Sequence, residues 1–358
     1  TILLLGLVTP INDLYTIPLA GALIIGGYMI GRPKAEEEKE LQEIEEELHT
    51  DELKSPESVV NLLNVDPIEF EFGYGLIPLA DTNQGGDLLD RVVMIRRQLA
   101  IELGIVIPVV RIRDNIQLNP NEYRLKIKGS EMARGELLLD HYLAMSPGTD
   151  DDIIEGIDTI EPSFGLPAKW ISEEMKDQAE MLGYTVLDPP SVVSTHITEI
   201  IKNNAHLLIG RQETKQLIDH LGETAPILVE EVTPNPLAVG EIQKVLAKLL
   251  KEKISIRNLP IIFETLADYG KLSSDTDLLT EYVRQNLARQ ITQQYLNGAA
   301  SLKVITVSGK VEKMIADSVE QTEHGNFLSM DPNDTQEILS AIAAKLEELS
   351  MMDQIPIV

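Results

Sequence analysis

Catalysis in this chain would have to be built from its carboxylates and its six histidines. His49, His141, His196, His206, His220 and His324 are scattered, and only His196 and His206 fall in one expected helix. Their spacing of ten is wrong for sharing one metal ion. Acid pairs abound among 58 Asp plus Glu, so no single pair singles itself out as a general acid and base. The chain has no G-x-x-x-x-G-K-[ST], H-E-x-x-H or G-x-S-x-G segment, and Gly73-Tyr74-Gly75 runs straight into Leu76-Ile77-Pro78 without the third glycine of a dinucleotide site. Gly85-Gly86 reads as a turn rather than a phosphate cradle. With no cysteine there is no disulfide, thiolate metal site or cysteine nucleophile. No enzyme and no cofactor are expected.

What remains is recognition chemistry. Aromatic residues are scarce (5 Phe, 9 Tyr, 1 Trp), yet Phe164 and Trp170 lie six apart in Glu161-Pro162-Ser163-Phe164-Gly165-Leu166-Pro167-Ala168-Lys169-Trp170. Two prolines and a glycine make Glu161 to Lys169 a loop. Phe164 has two readings there: a plug for the core of its own small domain, or an exposed anchor in a cleft. Trp170, at an expected helix start, reads as core.

The charge restricts the partners. Lys plus Arg number 30 against 58 acids, for a net charge of −28, which repels any polyanion and argues against nucleic acid. The hydrophobic share of 43 % is that of a globular chain, and 358 residues imply more than one core. The first 31 residues differ from the rest. Ile2 to Val8 and Ile17 to Ile30 are uncharged apolar runs around Pro10-Ile11-Asn12-Asp13, read as the tail of one membrane span, a hairpin and a further short span. The alternative is a buried helical hairpin. Arg32 and Lys34 follow, which places the downstream chain in the cytoplasm. Residues 32–56 form an acidic linker in which Leu41, Ile44 and Leu48 make a thin stripe on one helical face. It reads either as a solvated spacer or as a latch docking those three side chains.

The rest is mixed. Ile68, Phe70 and Phe72 alternate with Glu69 and Glu71 as a half-buried strand, and Leu88, Val92, Ile95, Leu99 and Leu103 line a helix stopped by Gly104. Ile105 to Arg113, Tyr123 to Lys128 and Leu137 to Met145 are further strands, followed by a helix near Ser172 to Leu182 and the strand Tyr184 to Leu187. After Pro190 the period is helical: one helix through Leu208, then Gln212 to Leu221, Leu237 to Lys253, Leu259 to Tyr269 and Asp277 to Leu296, interrupted by a strand-like Ile254 to Ile256. Leu302 to Val307 is a strand, Asp334 to Leu349 a helix, and Ile355 to Val358 a last apolar run.

Gly73 to Asp81, Ile112-Arg113-Asp114-Asn115, Tyr123 to Gly129, Pro162-Ser163-Phe164-Gly165-Leu166, Gly210-Arg211-Gln212-Glu213, Ile256-Arg257-Asn258-Leu259 and Gln290-Ile291-Thr292-Gln293-Gln294 stand in an order that resembles the FlhA family. These are the large export-gate proteins of the bacterial flagellar type III secretion apparatus, related to the injectisome export gates. The resemblance runs from about Ile2 to Val358. The family's multi-helix membrane half, with its F-H-I-P-E-P segment, and a closing αβ segment are not matched, so the chain resembles the C-terminal cytoplasmic region with a remnant of the last transmembrane segments.

The resemblance implies an α+β multidomain fold of four compact subdomains behind the linker. They are expected at 57–139 plus 189–208 (mixed α/β), 140–188 (small inserted α/β), 209–297 (mainly α) and 298–358 (α/β, incomplete). It further implies a nine-membered homo-oligomeric ring at the bacterial inner membrane, with this region in the cytoplasm. Expected partners are export chaperones with bound substrates, the export ATPase complex and other export-gate membrane components. The positions matching the family's chaperone-binding dimple are Glu161, Phe164 and Thr195, although the family more often has Asp where Glu161 stands. The linker's counterpart packs on an adjacent subunit, through Leu41, Ile44 and Leu48 here. An architectural ring subunit without cargo recognition is the competing reading.

Overall fold

The alternating strands of the first half carry their large side chains inward and their charges outward. The computed structural model describes residues 64–146, 154–296, 301–322, 325–351 and 357–358. The expected membrane segment at 1–31 and the linker at 32–56, with Leu41, Ile44 and Leu48, lie outside the described residues. Pro67–Val358 forms one compact unit of mixed α and β structure.

Strand β1 (Ile68–Phe72) sits beside β2 (Val110–Asp114) and β3 (Glu122–Ile127), with β4 (Ser130–Glu136) outermost, in the order β2-β1-β3-β4. The β1–β2 pair is parallel and the others antiparallel. Ile68, Phe70, Tyr123, Leu125 and Ile127 are buried in one core with the apolar face of α2 (Leu88–Leu103), which follows the one-turn helix α1 (Ile77–Ala80). Strand β4 had no alternation to announce it, and Leu137 to Met145 is a turn followed by a shorter strand. Ile105 and Ile107 are buried, but only Val110 onward pairs as β2. Helix α2 presents Leu88, Val92, Ile95, Leu99 and Leu103 to the core, as their spacing predicts. Gly104 caps it in the left-handed region (φ 80°), where a Cβ would stand 2.3 Å from the Arg257 backbone nitrogen. Only glycine admits that approach.

The second sheet is built from β5 (His141–Met145), β6 (Ile157–Ile160), β7 (Pro167–Ser172) and β8 (Thr185–Leu187), in the order β6-β7-β5-β8, with α3 (Lys176–Met181) between β7 and β8. One face makes a small core of Ala144, Ile154, Ile171 and Ala179. The other face, with Leu143, Ala168 and Trp170, joins the main core. Trp170 is therefore core, but as a strand residue opposite Leu143 rather than at a helix start.

Helix α4 (Pro189–Asn203) starts on an Asp188 cap, whose Oδ1 accepts from Ser191 N at 3.2 Å. The single helix expected through Leu208 breaks at Asn204, where the backbone leaves the helical region and α5 (Ala205–Leu208) begins. Helices α6 (Arg211–Thr224), α7 (Pro226–Val232), α8 (Val239–Lys251), α9 (Leu259–Tyr269), α10 (Thr276–Asn286) and α11 (Ala288–Leu296) follow. The expected Asp277 to Leu296 helix is thus two, and α7 was masked by its short length. Ile254 and Ile256 are buried without forming a strand, and Ile256 N donates to Leu103 O at 2.9 Å. Beyond residue 300 come α12 (Gly309–Asp317), the hairpin β9 (Val319–Thr322) and β10 (Gly325–Leu328), and α13 (Pro332–Ser350). Leu302 to Val307 contributes only a bridge, Val304 to Ile357, instead of a strand.

Several of the ordered sequence blocks have packing reasons. A Cβ on Gly73 would lie 1.9 Å from Asn119 O. Gly210 N donates to Glu213 Oε2 at 2.8 Å, closing the N-terminus of α6. Gln290 and Gln294 donate through their side-chain amides to Ser255 O (2.8 Å) and Lys253 O (3.1 Å), tying α11 to the segment that meets Gly104.

Candidate docking site

The β6–β7 hairpin closes on a six-residue loop wound around its own first side chain. Glu161 N donates to Leu166 O at 2.8 Å and Gly165 N to Glu161 O at 3.0 Å, with Gly165 at φ 71°. The Glu161 carboxylate folds back beneath the loop, where Oε1 accepts from Ser163 N at 2.9 Å and Oε2 from Phe164 N at 2.7 Å. Glu161 is 1 % exposed, whereas Phe164 is 61 % exposed. Phe164 therefore does not plug the core of its sheet: the loop turns it outward while Trp170 and Ile171 fill the two cores. Ile157, Ile160 and Leu166, on the same hairpin, are exposed as well.

Thr195 is the seventh residue of α4, and it is half-buried. Its neighbour His196 is buried, with Nδ1 2.8 Å from the Tyr123 hydroxyl of β3, and the two rings meet edge to face at 5.8 Å. Burial raises the Tyr123 pKa, and the Glu161 charge adds to that rise. Burial lowers the His196 pKa, and the Glu161 charge opposes it. One carboxylate acting on both groups places the base of the loop, β3 and α4 together. The structure thus joins Glu161 to Phe164 by a direct hydrogen bond and relates both to Thr195 only through His196. The Tyr123–His196 pair had no sequence signal beyond a tyrosine at an inward strand position. His206, on α5, is not part of it, and among the described residues no His, Asp or Glu group could hold a metal ion.

The pair yields a pH prediction. A buried histidine whose folded pKa is lowered binds its proton more readily in the unfolded chain. Stability is then full above the unfolded value of about 6.5 and declines as the pH falls from there towards the folded value. His196→Asn, which keeps an acceptor but does not titrate, is expected to flatten that part of the profile. Urea unfolding followed by Trp170, the single tryptophan, checks it; an unchanged slope between pH 5 and 7 would reject the assignment. Tyr123→Phe should cost about 1–3 kcal/mol in the same assay, because Nδ1 is left buried without its partner.

The FHIPEP family model matches residues 1–358, and the chain belongs to the FHIPEP family. It is 70% identical over 354 residues to the flagellar biosynthesis protein FlhA of Bacillus subtilis, covering 99% of this chain and 52% of that protein. To FlhA of Borreliella burgdorferi it is 43% identical over 302 residues, covering 84% of this chain and 43% of the relative. The chain thus spans about half the length of these relatives. Among solved structures, the Chlamydia pneumoniae CdsV and CdsO protein complex contains a chain with a TM-score of 0.70 and 25% identity, covering 78% of this chain and 82% of that one.

Proposed function

We propose that this region is a cytoplasmic docking platform of the flagellar type III protein export gate, which binds export chaperones with their substrates and orders their export. The observation that carries this reading is Phe164, an exposed aromatic held on a hydrogen-bonded loop beside other exposed apolar side chains. A rigid apolar anchor suits a protein partner better than a small substrate. The 70% identity to an FlhA over 99% of the chain supports the flagellar branch, and CdsV, solved together with CdsO, is a fold relative seen with a second protein. The platform is read as four subdomains behind the 32–56 linker, tethered at the inner membrane through residues 1–31 and arranged as a nine-membered ring with the other export-gate components and the export ATPase complex. Among the described residues no helix is long and apolar enough to cross a membrane. Calorimetry with a purified flagellar chaperone–substrate complex tests the reading: saturable binding to the folded chain is expected, and no measurable heat or complex would overturn it.

A second reading, an architectural subunit, rests on the apolar stripe of the acidic linker. If assembly depends on that stripe, changing Leu41, Ile44 and Leu48 together to serine in the membrane-tethered protein should abolish ring formation. Rings that still form in electron micrographs would count against it.

A further inference from the structure

We propose that Glu161 is a positioning residue that does not touch the docked partner but holds Phe164 in its outward pose before the partner arrives. This inference rests on the docking reading above. A contact residue must be reachable, and Glu161 is 1 % exposed with each carboxylate oxygen already accepting a backbone N–H of its own loop. A partner could bond to it only by undoing the loop that presents the anchor. Phe164 itself has little packing to fix it, being 61 % exposed, and the neighbouring Gly165 has open space where a Cβ would be. Beside the two backbone bonds that close the loop, what fixes the anchor's backbone is the 2.7 Å bond from its own N–H to Glu161 Oε2.

The burial of this carboxylate also needs an explanation. Among the described residues no cation forms an ion pair with Glu161, so its compensation comes from the Ser163 and Phe164 amides. A carboxylate is a stronger acceptor for such N–H groups than a neutral side chain would be. Tyr123 and His196, bonded to each other at 2.8 Å, lie within reach of the Glu161 charge. An anchor ordered in advance loses less conformational freedom on binding, which is where the affinity gain arises.

The chemistry ranks the substitutions. Aspartate commonly accepts N–H groups two and three residues ahead, so Glu161→Asp should preserve the loop. Glu161→Gln offers one oxygen and turns a donor towards the other N–H, and Glu161→Ala offers neither.

Two measurements decide the matter. In the free chain, hydrogen exchange at Ser163 and Phe164 should be slow in the wild type and in Glu161→Asp, and at least tenfold faster in Glu161→Gln and Glu161→Ala. Unchanged exchange in both of the latter would overturn the clamp whatever the partner does. Binding of a purified flagellar chaperone–substrate complex is then compared across Glu161→Ala, Phe164→Ala and the double variant, with Glu161→Gln carrying the cycle if the alanine variant fails to fold. Positioning predicts that the double variant binds no more weakly than Phe164→Ala alone. Additive losses would make Glu161 a direct contact and reject the proposal. If Phe164→Ala leaves binding intact, the docking reading fails, while the exchange result still stands or falls by itself.

Discussion

Phe164→Ala is expected to weaken binding of a chaperone–substrate complex by about 1–3 kcal/mol, roughly five- to 150-fold, with no loss of thermal stability. The two halves of that expectation come from one fact, the 61 % exposure of the ring. A phenylalanine in a core loses about 3–5 kcal/mol of folding stability on truncation, because a cavity is left behind. One standing in water gives up almost none, so any loss on binding reflects contacts made with the partner. Phe70, fully buried between Phe72 and Tyr123, is the internal contrast: Phe70→Ala should lower the melting temperature sharply. Calorimetric titration beside a thermal melt separates the outcomes. Unaltered affinity with an intact melt would remove Phe164 from the docking surface. A lost or broadened melt would return it to the core, against its exposure.

The sequence already displayed the parts of this site that depend on local pattern. Ile68, Phe70 and Phe72 and then Tyr123, Leu125 and Ile127 announced two strands by their period, and both sets are buried. The prolines and glycine around Phe164 announced a loop, and the loop is there, although Pro167 to Lys169 already belong to β7. What local pattern does not carry is direction. In the structure the Phe164 ring faces outward on a loop whose Glu161 carboxylate accepts from its amide, an arrangement with no periodicity to announce it. Strand β4 escaped notice since Ser130 to Glu136 has an outer-edge mixture of small and charged residues. The break at Asn204 also left no glycine or proline as a marker, because an asparagine can bond back to the Ile200 carbonyl, at 2.8 Å, and end the helix unaided.

The largest stability effect among polar groups is expected at Glu71, on the outer face of the first sheet. Its neighbours across the register are Arg113 and Arg124, and the adjoining row sets Glu69 between Arg111 and Lys126, so opposite charges face each other along both rows. Glu71 is 8 % exposed, and its oxygens accept from Arg124 Nε at 2.6 Å, Lys126 Nζ at 2.6 Å and Asn115 Nδ2 at 2.7 Å. Burial alone would raise its pKa, but the bonds from Lys126, Asn115 and Arg124 and the Arg124 charge bring it from 4.5 to about 2. A carboxylate with a lowered folded pKa stabilises the fold fully above its unfolded value, and that contribution disappears as the pH falls through the folded value. The shift corresponds to about 3 kcal/mol at neutral pH, present above roughly pH 5 and nearly gone near pH 2. Removing one member of a buried ion pair costs about 3–5 kcal/mol; Arg124 and Lys126 keep 22% and 19% of their side-chain surface in water and can partly rehydrate, so about 2–3 kcal/mol is the consistent figure. Glu71→Gln, which preserves shape, should therefore destabilise the chain by that amount at pH 7 and by much less at pH 3. Urea unfolding at the two pH values provides the measurement. Equal destabilisation at both would mean that packing, not charge, is what Glu71 supplies.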